Sequence, residues 1–215
     1  MFPAHVLGWD QPKAVSGDLK SVPLVIGIAG GTCAGKSRLA EGLAAHYANA
    51  ALLAMDSFYR QQPPEAIAAG IVDFDSPEAL DLDAMAAALK SLRAGRAVEI
   101  PVYDRAVSRA AGRRTVSPHA VLLVEGLFVL EWPTIREQLD LKVFITVDGP
   151  VQRARRQARD LELYHRSLAR LHDDLARAAA AQERHVLPSR AFADLVLSGT
   201  DPLDQQVAAC LKALC

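Results

Sequence analysis

Residues 30–37, Gly-Gly-Thr-Cys-Ala-Gly-Lys-Ser, constrain this 215-residue chain more than any other segment. They satisfy the pattern G-x-x-x-x-G-K-[ST] in full. They also follow the apolar run Val22–Ala29 directly and open a helical pattern over Ser37–Tyr47. A short run rich in Val and Ile suits a strand buried on both faces of a parallel sheet. Between strand and helix, small residues let the backbone wrap closely, so that successive N–H groups point inward. The helix N-terminus adds its partial positive charge. A loop of this build cradles a polyphosphate. Gly30, Gly31, Thr32, Cys33, Ala34 and Gly35 supply the amides, Lys36 can bridge the β- and γ-phosphates, and the Ser37 hydroxyl can hold Mg²⁺. The ligand this implies is a nucleoside triphosphate, ATP or GTP, with Mg²⁺.

Similar apolar runs recur at Ala51–Met55, Ala120–Val124, Leu141–Val147 and Leu195–Leu197. Helical patterns lie between them at Asp83–Leu92, Glu131–Gln138, from Pro150 to about Arg184, and at Leu203–Leu214. Strands alternating with helices predict an α/β fold, a three-layer P-loop NTPase type with a parallel sheet and right-handed crossovers. Residues 150–185 are more charged than the rest and carry no strand pattern, which predicts a helical lid. Val98–Tyr103 and Arg114–Val116, separated by a turn containing Gly and Arg, predict a small hairpin over about 97–117, outside the main sheet. Residues 1–21 lack either periodicity and are expected to form an N-terminal extension to one domain over 22–215.

Composition narrows the function classes. The formal charge of −1 argues against a nucleic-acid binder that works through a general basic field. No apolar run approaches the 18 or so residues that cross a bilayer, and the N-terminus lacks the pattern of a secretory signal. Cys33, Cys210 and Cys215 form no C-x-x-C and are expected as free thiols in a reducing compartment, so the expected location is cytoplasmic. A homo-oligomer is left open. His46, His119, His165, His172 and His185 have no metal-ligand spacing and are expected on the surface or in helix packing.

In open α/β sheets the chemistry sits beyond the carboxyl ends of the strands. Two acids fall there: Asp56, after Ala-Leu-Leu-Ala-Met, and Glu125, after Val-Leu-Leu-Val. A carboxylate near a γ-phosphate can orient Mg²⁺ or accept the proton of an attacking hydroxyl. Asp56, with Tyr59 close by, reads as the substrate-side group, and Glu125 as the metal-side one.

The succession GGTCAGKS, MDSFYR, DFDSPEALD, PVYDRAVSR, VLLVEGLF, RRQARD and LPSRAFADLVLSGTDP resembles the uridine–cytidine kinase family of P-loop kinases over about Val22 to Leu214. The resemblance implies an ATP-dependent phosphotransferase. Asp56 would be the base that takes the proton of a nucleoside 5′-hydroxyl, Tyr59 would lie near the base pocket, and Asp75, after Phe74, would bind the ribose hydroxyls. Tyr103 would face the nucleobase and Glu125 would associate with Mg²⁺. Arg109 would serve the hairpin side of the substrate. Arg156, Arg159 and Arg166, spaced i, i+3 and i+10, would line one face of the lid, with Arg159 and Arg166 neutralising charge on the transferring phosphoryl and Arg156 on the substrate. Arg153, Arg170 and Arg177 are expected on its solvated face.

The chain departs from the family in two places. Val107 stands where the family hairpin carries a pyrimidine-contacting His, and Leu163-Tyr164-His165-Arg166 replaces Glu-Arg-Gly-Arg. Valine cannot hydrogen-bond a base edge. The leading expectation is therefore transfer to a nucleoside hydroxyl. Two alternatives stand beside it: a kinase for another small hydroxyl substrate of the nicotinamide riboside, pantothenate or sugar-phosphate type, and a nucleotide-binding regulatory ATPase without an acceptor.

Overall fold

The structure, a computed structural model, describes residues 22–47, 50–105, 107–162 and 168–214, with the side chains of Ala68 and of residues 168–174 outside that description. The expected N-terminal extension, Cys215 and Arg166 thus lie outside the described residues. In chain order the elements are β1 (Leu24–Gly30), α1 (Lys36–His46), β2 (Ala50–Ala54), α2 (Pro64–Ala68), α3 (Leu82–Arg93), β3 (Val98–Asp104), β4 (Arg109–Val116), β5 (Val121–Glu125), α4 (Pro133–Arg136), β6 (Leu141–Thr146), α5 (Gly149–Glu162), α6 (Leu168–Ala181), α7 (Leu187–Ser189), β7 (Leu195–Ser198) and α8 (Leu203–Ala213).

β2, β5, β1, β6 and β7 form one parallel sheet in that order. The apolar runs of β1, β2, β5 and β6 became strands covered on both sheet faces, with no solvated face to demand alternation, whereas the edge strand β7 leaves Val196 exposed. On one face α3 packs through Leu82, Met85, Ala86, Leu89 and Leu92, a 3.6-period stripe, and Asp81 caps it by accepting the Ala84 N–H at 3.0 Å. On the other face α1 and α8 pack through Leu39, Leu43 and Cys210 against Ile26, Ile28 and Val143.

Three expected boundaries move for local reasons. Over 131–138 only Pro133–Arg136 is α-helical. A residue before proline is driven out of the helical region, as Trp132 is, and beyond Arg136 the Gln138 amide folds back to the Thr134 carbonyl at 2.6 Å. The lid is two helices, α5 and α6, and α6 passes into a π-helical turn over Gln182–Val186. In the hairpin, β4 begins at Arg109, well before the expected Arg114. The reversal therefore falls at Ser108, which is left-handed at φ 52°. Gly112, expected in the turn, instead lies in the strand at a bulge where Ala111 has no partner on β3.

Candidate functional site

The phosphate-binding loop leaves the carboxyl end of β1 at the centre of the sheet. Gly30 has φ +142°, and a Cβ there would run into the Ile145 carbonyl oxygen of β6, so only glycine lets the loop lie against the strand beside it. Gly35 precedes α1 and no side chain caps that helix, so its first N–H groups are left to an anion. Lys36 is buried, and its Nζ donates to the Gly31 carbonyl at 2.9 Å. Burial drives its pKa down to about 8; Glu125 and Cys33 oppose the shift, and Arg105 and Arg159 add to it.

Glu125 ends β5, in register with Ile28 of β1 and Ala54 of β2. It is buried and accepts a long hydrogen bond from Ser37 Oγ at 3.5 Å. A hydroxyl and a carboxylate at the mouth of an anion cradle are the hard oxygen donors that suit Mg²⁺, which keeps several waters and is held by one or two protein groups together with phosphate. Among the described residues no group of three or more His, Cys, Asp or Glu could hold a metal ion.

Asp56 lies two residues past β2, on the 3₁₀ turn Met55–Phe58, and is ion-paired with Arg105 at the end of the hairpin's first strand. Tyr59, next along, donates its hydroxyl to the Phe74 carbonyl at 2.8 Å. Its ring lies edge-on to Phe74 and 4.8 Å between centroids from Tyr103, which is buried on β3. Burial, with Asp75 and Tyr103 nearby, pushes the Tyr59 phenol well above its ordinary range, so it stays a donor.

Helix α5, in the expected lid segment, touches both the phosphate loop and Asp75. Arg156 forks Asp75, Nη1 to Oδ1 at 3.0 Å and Nη2 to Oδ2 at 2.8 Å. Burial alone would lower the Arg156 pKa, but the charge and hydrogen bonds of Asp75, with Asp160, more than reverse this and hold it charged. Arg159 reaches Thr32 Oγ1 at 3.4 Å, and Arg155 reaches the Cys33 carbonyl at 3.4 Å and the Gly199 carbonyl at 3.2 Å. Gln152 Nε2 donates to the Thr32 carbonyl at 2.8 Å and to Gln182 Oε1 at 2.5 Å. A Cβ on Gly31 would meet both glutamines, so this glycine lets the lid touch the loop. Between them is a small cleft lined by Thr32, Asp75, Leu127, Ala181, Gln182 and Val186.

The structure therefore brings Asp56, Tyr59, Phe74, Asp75, Tyr103, Glu125, Arg156 and Arg159 around the loop that carries Gly30 to Ser37. It does not bring Arg109, which is exposed at the start of β4, and Val107 is 50% exposed at the hairpin tip. Arg153 is exposed as expected, whereas Arg177 is not a solvated arginine: its Nη1 donates to the Gly70 carbonyl at 3.0 Å. Arg105, Arg155, Gln152 and Asp160 escaped sequence reasoning as site residues. Among the histidines, His119 is buried and paired with the Ser117 carbonyl, and His185 pairs with Glu131.

The family model of the phosphoribulokinase / uridine kinase family matches residues 25–203. The chain belongs to that family of P-loop kinases. A uridine kinase of Streptococcus pyogenes serotype M5 is 32% identical over 180 residues, 81% of this chain and 86% of that one. Uridine kinase-like protein 4 of Arabidopsis thaliana is 31% identical over 191 residues, 87% of this chain and 41% of that one, so the chain spans about two-fifths of this plant relative. Among solved structures, a protein from Silicibacter sp. TM1040 described as a fructose transport system kinase superposes with a TM-score of 0.64 at 26% identity, over 84% of this chain and 92% of that one. The family's parallel α/β architecture is the one expected from the alternating apolar runs. Among the described residues no helix is long and apolar enough to cross a membrane.

Proposed function

We propose that the chain transfers the γ-phosphoryl of ATP to a hydroxyl of a small molecule, with the 5′-hydroxyl of a nucleoside as its acceptor and Asp56 as general base. The observation that carries this reading is the convergence of Asp56, Glu125 and Lys36 at the carboxyl ends of three adjacent strands, β2, β5 and β1.

The loop amides and the α1 N-terminus bind the β-phosphate, and Lys36 and Arg159 carry the positive charge on the γ-phosphate side. Ser37 and Glu125 would hold Mg²⁺, which neutralises charge on the phosphates when bound. Asp56 accepts the proton of the acceptor hydroxyl. The acceptor oxygen forms its bond to the γ-phosphorus while the bond to the bridging oxygen breaks, and that electron pair leaves on ADP. Lid contacts from Gln152, Arg155 and Arg159 exclude water that would otherwise compete as acceptor.

A nucleoside acceptor is supported by the Streptococcus relative's name, by the Tyr59–Tyr103 ring pair as a stacking surface and by Asp75, whose carboxylate can accept from two vicinal hydroxyls. A sugar-type acceptor is the second reading. It is favoured by the exposed Val107 in place of a base-reading side chain and by the name of the Silicibacter protein. The experiment is ADP release from Mg-ATP with a panel of nucleosides, sugars and sugar phosphates, run beside Asp56→Asn. Turnover with uridine or cytidine that Asp56→Asn lowers at least about 100-fold, with ATP binding intact, is the expected result. Turnover with a sugar alone replaces the acceptor, and normal turnover by Asp56→Asn removes the base.

A further inference from the structure

Asp160 is the most deeply buried charged group of the lid, at 0% exposure, and the phosphoryl-transfer reading gives it no task. It is on α5, one residue after Arg159 and one turn after Arg156. Its Oδ1 accepts from Arg159 twice, Nε at 2.9 Å and Nη2 at 2.8 Å. Its Oδ2 stands 3.5 Å from Arg156 Nε, and both of those buried atoms lack a hydrogen-bond partner. The two guanidiniums then leave in different directions: Arg159 turns Nη1 to Thr32 of the phosphate loop, and Arg156 turns both Nη atoms to Asp75 of the acceptor side.

A carboxylate with no water on it costs several kcal/mol to bury, and an apolar residue of similar volume serves a helix at least as well. An i,i+4 ion pair that merely supports a helix contributes little, and it would be as useful on the solvent face. Here the carboxylate is instead placed where the side faces of two guanidiniums meet, which fixes their free ends. An arginine left unbraced keeps its rotamer entropy to lose on each encounter with substrate.

The geometry points to Asp160 as a positioning residue that aims Arg159 at the terminal phosphate and Arg156 at the acceptor carboxylate, and so joins the two halves of the site through one buried oxygen pair. The inference rests on the phosphotransferase reading for its meaning, but its test does not need the acceptor. Asp160→Asn keeps the shape and removes the charge, and Arg159→Met removes the aimed group. Wild type, both single variants and the double variant are titrated with Mg-ATP and Mg-ADP by calorimetry, with melting followed in parallel. The preference for ATP over ADP is expected to fall about tenfold in Asp160→Asn. Arg159→Met is expected to lose as much, and the double variant no more than Arg159→Met alone, because the carboxylate acts through that arginine. The titration contains no acceptor and so does not involve the base, which separates failure of this inference from failure of the base assignment. Unchanged preference in Asp160→Asn, or full additivity in the double variant, overturns it. If Asp160→Asn does not fold, Arg159→Lys decides: it keeps the charge and breaks the two-pronged contact with Asp160, so an unchanged ATP preference overturns the inference and a loss like that of Arg159→Met supports it.

Discussion

Raising the pH of a nucleotide titration from 7 to 9 tests the charge state of Lys36 directly. Burial lowers its pKa from 10.5 to about 8 in the free protein, where its ammonium faces the neutral Gly31 carbonyl at 2.9 Å. At pH 7 about one-tenth of the molecules then have a neutral Lys36, and at pH 9 about nine-tenths. A bound triphosphate sets several negative charges close to Nζ. One such charge at 4 Å contributes about 4 kcal/mol at an effective dielectric of 20, more than the roughly 3 kcal/mol needed to return the ammonium to its ordinary range. Binding is therefore expected to take up about 0.1 proton per ATP at pH 7 and about 0.9 at pH 9, and affinity falls about tenfold per unit between pH 8 and 10.5. The stability of the free protein moves the other way. Between pH 8 and 10.5 the unfolded chain holds more protons at Lys36 than the folded one, so this group's contribution rises with pH across that window, by about 3 kcal/mol in all. Calorimetric titrations in two buffers of different ionisation enthalpy read the uptake, and Lys36→Met is the control. Equal uptake at pH 7 and pH 9, or uptake above pH 8 that survives Lys36→Met, refutes the reasoning.

Two further substitutions test the scaffold. Gly30→Ala puts a Cβ into the Ile145 carbonyl oxygen at a φ of +142° and is expected to lose at least about tenfold in ATP affinity while the chain still folds, as read by calorimetry and circular dichroism. Phe128→Ala empties a side chain at 0% exposure beneath the site, next to Met55 and His185, and is expected to cost about 3–5 kcal/mol in denaturant unfolding.

What could be read from the sequence was what is local. The run from Val25 through Ser37 encodes strand, loop and helix within a dozen residues, and the structure moves their ends by one or two positions. The strand order β2-β5-β1-β6-β7 had no such signal, because it depends on which buried runs pair across long crossovers. The same distinction divides the site. Asp56, Asp75 and Glu125 are flagged by short motifs at strand and loop ends. Arg105 becomes a site residue only because the hairpin bends back over Asp56, and Arg155 only because α5 lies on a loop 122 residues earlier. Asp160 was visible as a letter in RRQARD, but nothing in that string says it is buried. Arg109 went the other way: its motif position suggested the pocket, and the early start of β4 carries it to the outside.

A chain of formal charge −1 that is to hold a polyanion cannot rely on a diffuse positive field, and most of its site cations come with carboxylates attached: Arg105 with Asp56, Arg156 with Asp75, Arg159 with Asp160, and Lys36 in the field of Glu125. Such pairing keeps the free site near neutrality, and it also decides how an acceptor can enter. Separating the partly buried Arg156–Asp75 fork by removing one partner would cost on the order of 3–5 kcal/mol, a large share of any small molecule's binding energy. A carboxylate, however, has about four lone-pair sites, and the fork uses two. Two hydroxyls on adjacent carbons can take the other two without breaking the pair, whereas a carboxylate or phosphate on the acceptor would have to pull Arg156 away. On the proposed reading Asp75 would select for a vicinal diol. Both a ribonucleoside and a sugar carry one, so discrimination between them would fall to the Tyr59–Tyr103 ring pair, where a stacked base would gain contact that a sugar ring does not.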